Sequence, residues 1–293
     1  MNLQSLLTEH GVPFVEGGSH RHVREGWIGL DCCWCGTTGR WHLGVHLGTL
    51  SASCWRCGRH DLTSVLARLF GVDRGRAWSL VKDLPKTRGI SRWAGLVKGK
   101  LRLPPGLEPL TGAHRRYLLG RGFDPDLLVR LWDLQGLGPL AGRLSWRLWI
   151  PVHLDGEVVS WTTRAIGDGD RRYISASPED EAWPIKSTLY GWDYVRHAVI
   201  VCEGPADAWR VGPGAVATHG LAVSSSQLKL LASVPRRIVC FDNSPVAQRT
   251  ADGLCEQLRC FPVPGETIRV EIDADDPGSA SMREVVKLRR FLE

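Results

Sequence analysis

"AVIVCEGPADAW" (residues 198–209) decides the fold. Four apolar residues and a cysteine run straight into Glu203, a glycine and a proline follow, and a helix-like stretch begins. Such an apolar run, bounded by a turn signal, reads as a buried strand. The pattern continues downstream: "GAVATHG", "SSSQLKLLASV", "RRIVCFD", "VAQRTADGLCEQL", "TIRVEIDADDPG" and a last helix "SMREVVKLRRFLE". Strands alternating with helices predict a parallel or mostly parallel sheet with crossover helices. Three of these strands run into acids: "VIVCEG" at Glu203, "RIVCFDNS" at Asp242, and "RVEIDADD" at Asp273, Asp275 and Asp276. In open α/β sheets ligands gather at the carboxyl ends of the strands. Carboxylates collected there repel one another unless a cation lies between them. Hard oxygen donors favour Mg²⁺ or Mn²⁺, with phosphates completing the shell. One acid after a strand is ordinary, since a carboxylate often begins the next helix; three in succession point to a shared ion.

Working upstream, residues 107–194 read as a mixed region. Helices are expected in "GAHRRYLLGRG" and "DPDLLVRLW", and a hairpin around Asp155-Gly156 in "HLDGEVVSW". Residues 85–106, "PKTRGISRWAGLVKGKLRLPPG", mix Pro, Gly and Lys/Arg without a period and read as a basic linker. "DLTSVLARLFGVDRGRAWSLVKDL" reads as helical, with Leu62, Val65, Leu66 and Leu69 at helical spacing and Gly71 as a stop. The domains expected are therefore 1–84, 85–106 (linker), 107–194 and 195–293.

Charge is uneven along the 293 residues. Residues 1–85 carry 9 Lys/Arg against 7 Asp/Glu, residues 86–150 carry 12 against 4, and residues 151–293 carry 16 against 20. A basic block in the middle suits a polyanion such as nucleic acid, although a solvated surface accounts for it equally well. There is no signal-like start and no apolar run of membrane-spanning length, so a cytoplasmic protein with no membrane partner is expected.

Five of the nine cysteines crowd between 32 and 57. Cys32, Cys35, Cys54 and Cys57 form C-x2-C-x18-C-x2-C. Two such knuckles supply four thiolates for tetrahedral Zn²⁺, which replaces a hydrophobic core in a small segment. Cys33 is the spare, and His42, His46 and His60 enter only if a cysteine does not. Arg40, Trp41 and Arg56 lie on or between the knuckles, where cations beside an aromatic suit phosphates and stacked bases. Packing over the small ribbon core is the favoured account of Trp41, and nucleic-acid contact that of Arg40 and Arg56.

"VCEGPADAW", "CFDNSPVAQRTAD" and "IDADDPGSA" resemble the three motifs of the Toprim domain, shared by bacterial and phage DNA primases, topoisomerases and some nucleases. The likeness to primases extends upstream. "HRRYLLGRG" is similar to their helix with Arg-Gly, and "RLWIPVHLDGEVVSWTTRA" to the strand pair before the Toprim fold. "RRYISASPEDEAWPIKSTLYGWD" resembles their connection ending in Leu-Tyr-Gly, and the cysteine ribbon stands where their zinc domain stands. The resemblance implies an α/β chain, α+β overall: zinc ribbon, mixed subdomain and Toprim-like Rossmannoid sheet. It implies catalytic roles for Glu203, Asp207, Asp242, Asp273 and Asp276, with Glu203, Asp242 and Asp276 on magnesium. It implies nucleotide or DNA contacts by Arg121, Arg164 and Lys186. One departure stands out: the second motif normally reads Asp-x-Asp with a glycine three residues later, and here it is Asp242-Asn243-Ser244 with Ala247.

Three functions compete. The first is a primase that copies single-stranded DNA into a short RNA primer from ribonucleoside triphosphates, with Zn²⁺ structural and Mg²⁺ or Mn²⁺ catalytic. The resemblance adds a separate replicative helicase as partner, and a bacterial cytosol or a phage or mobile element as setting. The second is a degenerate module that holds single strands or a replication partner, favoured by the missing acid at Ser244. The third is a Toprim nuclease or topoisomerase.

Overall fold

The computed structural model describes residues 2–36, 38–85, 99–167, 171–261 and 265–293. These form two compact units: the described residues of Met1–Leu96 with Asp155–Glu157, and those of Val97–Leu154 with Val158–Glu293.

In the first unit, helix α1 (Leu3–Glu9) is capped by Asn2, whose side chain accepts the Ser5 N–H at 2.8 Å. Five short strands follow: β1 (Phe14–Glu16), β2 (Trp27–Leu30), β3 (Leu43–His46), β4 (Ala52–Cys54) and β5 (Gly58–His60). They form an antiparallel meander in chain order. Helices α2 (Leu62–Phe70) and α3 (Arg74–Lys82) start on Asp61 and Asp73, each accepting a backbone N–H of its first turn. The helix expected over Leu62–Leu69 is α2, and it stops at Gly71. Leu3, Leu6 and Leu7 pack with Ile28, Leu30, Leu43, Val45, Val65 and Leu66 in one buried cluster that also contains Cys32 and Cys54. Most of the basic linker, residues 86–98, lies outside the described residues.

The second unit opens with β6 (Leu107–Glu108), α4 (Gly112–Gly120) and α5 (Pro125–Trp132). Strands β7 (Gln135–Leu137), β8 (Arg147–Leu154), β9 (Glu157–Ala165) and β10 (Tyr173–Ser175) complete a five-stranded sheet in the order β10-β9-β8-β7-β6. Between β8 and β9, Asp155 and Gly156 both have positive φ (52° and 83°), the geometry of a two-residue hairpin turn that the Asp-Gly pair announces.

The chain then alternates strictly. β11 (Ala198–Cys202), α6 (Pro205–Val211), β12 (Ala215–Ala217), α7 (Ser225–Ala232), β13 (Arg236–Val239), α8 (Pro245–Arg259), β14 (Glu266–Arg269) and α9 (Met282–Arg289) follow in turn. All three strand pairings are parallel, in the order β12-β11-β13-β14. β11 is fully buried because helices cover both faces of such a sheet, which explains its unbroken apolar run. From β11 the chain steps to one side to make β12, then crosses to the other side to make β13. The order therefore reverses between β11 and β13, and the crevice beyond the ends of these two strands is where such sheets bind ligands. Among the described residues no helix is long and apolar enough to cross a membrane.

Candidate metal centre and active site

The four cysteines of the spacing motif converge. Cys32, Cys35, Cys54 and Cys57 place their sulfurs within 4.8 Å of one another, with Cys32–Cys57 at 3.4 Å and Cys35–Cys54 at 3.6 Å. A tetrahedral Zn²⁺ with bonds of about 2.3 Å sets sulfurs about 3.8 Å apart, so the set fits that ion. The Arg56 N–H donates to the Cys54 sulfur at 3.3 Å, a contact that would brace this sulfur as a metal-bound thiolate. The Cys32 thiol lies well below the usual thiol range, chiefly through its hydrogen bond with Cys54. Cys33 stays outside the set, and burial pushes its thiol up to about 11. His60 Nε2 lies 3.1 Å from the Cys57 sulfur, and its ring stacks on Trp34 at 3.9 Å with Arg68 on the indole at 4.9 Å. Sequence reasoning passed over that Trp34 stack, because a tryptophan inside a knuckle carries no signal of its partner. Arg40 and Arg56 are exposed, while Trp41 is half-buried with its N–H donated to Asp31.

At the crevice of the parallel sheet, Glu203 directly follows β11 and Asp242 stands three residues beyond β13. The two are joined: the Asp242 N–H donates to Glu203 Oε1 at 3.0 Å. Burial raises the Glu203 carboxyl, and the nearby Asp276 charge adds to it. Asp242 is pushed up to about 7 by burial and then by the charges of Asp207, Glu203 and Asp276, with Arg172 pulling the other way. Asp242 Oδ1 is buried with no hydrogen-bond partner.

Asp207, in the first turn of α6, is buried and pushed up to about 6 by desolvation and by Asp276 and Glu203. Its oxygens accept the N–H groups of Gly204 (2.8 Å) and Gly278 (3.1 Å), tying the first acidic turn to the third. A side chain at Gly278 has no room, since a Cβ there meets Asp207 Oδ1 at 2.8 Å and Asp276 Oδ1 at 3.2 Å.

Glu203, Asp207, Asp242 and Asp276 thus share one electrostatic site. Asp273 is placed differently: β14 ends four residues earlier at Arg269, and Asp273 is exposed, its N–H donated to Glu284. Asn243 fastens the two loops, its side-chain amide donating to the carbonyls of Ile272 and Ala274, both at 2.6 Å. Ser244 caps α8, its hydroxyl accepting the Ala247 N–H at 3.2 Å. Among the described residues the thiols are the only group of three or more His, Cys, Asp or Glu with ligand atoms all within 4.8 Å. The carboxylates therefore ring the crevice without closing on one point.

The expected cations are placed unevenly. Arg164 is buried, its guanidinium donating to the hydroxyls of Tyr117 (2.6 Å) and Tyr173 (2.5 Å). Lys186 donates to three backbone carbonyls. Arg121 ends α4, and its carbonyl accepts from Arg210 at 2.9 Å. Arg172, whose charge favours the ionised form of Asp242, is the cation that sequence reasoning missed. It stands in "RRYISAS" beside Tyr173, in a loop that periodicity does not mark.

No family model matches the chain. A curated DNA primase from Geobacillus stearothermophilus is 26% identical over 132 residues, 41% of this chain and 22% of that protein. Among solved structures, the zinc-binding and RNA polymerase domains of the Aquifex aeolicus primase align over 100% of this chain and 82% of theirs, with a TM-score of 0.55 and 17% identity. The fold is that of a primase. The RNA polymerase domain of the Mycobacterium tuberculosis primase aligns over 62% of this chain and 76% of its own, at TM-score 0.50 and 21% identity. A primase catalytic domain bound to single-stranded DNA aligns over 63% and 72%, at TM-score 0.51 and 17% identity. The chain spans about a fifth of the length of the curated primase it matches.

Proposed function

We propose that this chain is a DNA primase, which makes short RNA primers on single-stranded DNA by metal-dependent nucleotidyl transfer at the β11/β13 crevice. The observation that carries it is the Glu203–Asp242 pair: the Asp242 backbone N–H donates to the Glu203 carboxylate, the Asp242 carboxyl is pushed up to about 7, and its buried Oδ1 is left unpartnered. Such a surplus of buried negative charge fits a divalent cation. Glu203, Asp242 and Asp276 would hold it. Hard carboxylate oxygens suit Mg²⁺ or Mn²⁺, taken by one or two of these three at a time, with water and substrate phosphates filling the remaining positions. When bound, the ion supplies positive charge that polarises a phosphoryl oxygen and stabilises the pyrophosphate leaving group.

The chain's own residues set the geometry around that charge. Asp207 keeps the Glu203 turn against the Asp276 turn through Gly204 and Gly278, and Asn243 keeps the Asp242 turn against the third acidic loop. Arg172 lies where its charge reaches Asp242 and stands ready to meet the triphosphate. The thiol cluster holds Zn²⁺, and Arg40 and Arg56 on that ribbon offer phosphate contacts to a template strand. A separate replicative helicase is part of the same reading. The degenerate-module reading rests on Ser244, which stands where relatives carry an acid and here caps α8.

The test is direct. Purified protein with mixed-sequence single-stranded DNA, labelled ribonucleotides and Mg²⁺ or Mn²⁺ is expected to yield oligoribonucleotides of a few to a few tens of residues, and none without the divalent ion. No product with any template at any Mg²⁺ or Mn²⁺ concentration favours the binding module.

A further inference from the structure

Lys186 stands in the 3₁₀ turn Ile185–Ser187, within a strap fixed from behind. Glu181 Oε2 accepts the Ile185 N–H and the Ser160 hydroxyl, both at 2.8 Å. From this strap the ammonium reaches into the loop after β12. It donates to the carbonyls of Thr218 (3.0 Å), His219 (2.9 Å) and Ala222 (2.9 Å). An ammonium has three hydrogens and all three are used, so none is left for a phosphate. Thr218 O also accepts from Gln227 Nε2 at 3.1 Å, filling its second lone pair.

Three carbonyls turned toward one point is the arrangement that coordinates a free monovalent cation, with the dipoles' negative ends gathered. Within this loop His219 has a positive φ of 60°, uncommon for a residue with a side chain. The loop so shaped grips the end of β11. The Thr218 N–H donates to Cys202 O at 3.1 Å and the Gly220 N–H to Glu203 O at 3.0 Å. Both carbonyls flanking the Glu203 amide plane and Cα are thereby held by the loop that Lys186 organises.

We propose that Lys186 is a positioning residue, a tethered cation in a carbonyl cradle that fixes the backbone of Glu203, and not a ligand of the nucleotide phosphates. This rests on the reading of Glu203 as a group of the polymerase site. Removing the ammonium leaves three carbonyls facing one another, and the loop relaxes unless another small cation takes the place.

The experiment compares the full chain with Lys186→Ala and Lys186→Met, with and without added methylammonium or K⁺. Hydrogen exchange is followed over residues 218–224, together with kcat and KM for ribonucleotide. The expected result is exchange at least about tenfold faster in both variants, with kcat falling on the order of tenfold and KM within about threefold. Methylammonium is expected to restore part of the protection and of kcat in Lys186→Ala, where the space of the side chain is free. A KM raised tenfold or more at unchanged kcat, with unchanged exchange and no rescue, overturns the proposal in favour of a phosphate contact. Exchange protection and its rescue are read without any polymerase activity, so failure of the primase reading is distinguished from failure of the cradle. If Lys186→Ala does not fold, the ¹⁵N-labelled Lys186 ammonium of the unmutated protein decides. A slowly exchanging signal that triphosphate leaves unshifted supports the cradle, and a rapidly exchanging signal that triphosphate shifts overturns it.

Discussion

At the scale of single residues, the chemistry turns on a proton. Asp242 is raised to about 7 by burial and by Asp207, Glu203 and Asp276, and Arg172 only partly offsets them. A carboxyl raised in the folded state binds a proton that the unfolded chain has already lost. Without metal, stability therefore falls as pH climbs from about 4, the unfolded value, through about 7. A divalent ion that takes the place of the proton reverses the trend. Thermal melts are expected to show Mg²⁺ raising the midpoint by a few degrees at pH 8 and by little at pH 5, with the pH 8 gain shrinking in Asp242→Asn. Equal Mg²⁺ effects at both pH values would contradict the assignment. Ser244 gives a second expectation. Aspartate caps a helix as well as serine does, so Ser244→Asp should fold normally. Its added charge beside Asp242 should lower the Mg²⁺ concentration needed for half-maximal synthesis, as a metal titration would read.

At the scale of elements, the ribbon and the acidic turns make different demands. The ribbon's strands are three or four residues long, and its buried cluster includes two of the four thiols. Binding free energies of about 10–16 kcal/mol in zinc-finger peptides indicate how far the ion holds such a segment together. Cys35→Ser is expected to lose close to one zinc per chain by elemental analysis and to expose the first unit to limited proteolysis. Zinc-free protein of normal resistance would contradict this. The acidic turns are held by close approach, and Gly278→Ala places a Cβ 2.8 Å from Asp207 Oδ1. A loss of about 1–3 kcal/mol in denaturant unfolding is expected. Much of this level was legible in sequence. The alternation after residue 195, the cysteine spacing and the Asp155-Gly156 turn are local patterns, and local patterns survive translation into structure. What escaped depends on distant partners. Asp273 sits in a motif with Asp276, and its exposure and its N–H bond to Glu284, eleven residues on, are set by the fold and not by the motif. The resemblance implied nucleotide or DNA contacts for Arg164 and Lys186 but said nothing of their partners within the protein, which folding supplies: the hydroxyl of Tyr117, 47 residues away, and the carbonyl of Thr218, 32 residues away.

At the scale of the whole molecule, the excess of 12 Lys/Arg over 4 Asp/Glu in residues 86–150 and the exposed Arg40 and Arg56 predict binding to single-stranded DNA. With about five phosphates neutralised, log affinity should fall with log salt at a slope of about −3.5 by fluorescence anisotropy. A slope near zero would leave the charge as a solvated surface. Binding and chemistry are separable in this account, because the cations that meet the strand are not the carboxylates of the β11/β13 crevice. The most direct measurement is therefore primer synthesis and single-strand binding, side by side, in wild type and Glu203→Gln. Losing the charge of Glu203 removes several kcal/mol of metal-borne stabilisation, so synthesis is predicted to fall on the order of 10³-fold while DNA affinity and the melting midpoint stay near wild type. A Glu203→Gln protein that makes primers at the wild-type rate would contradict the account.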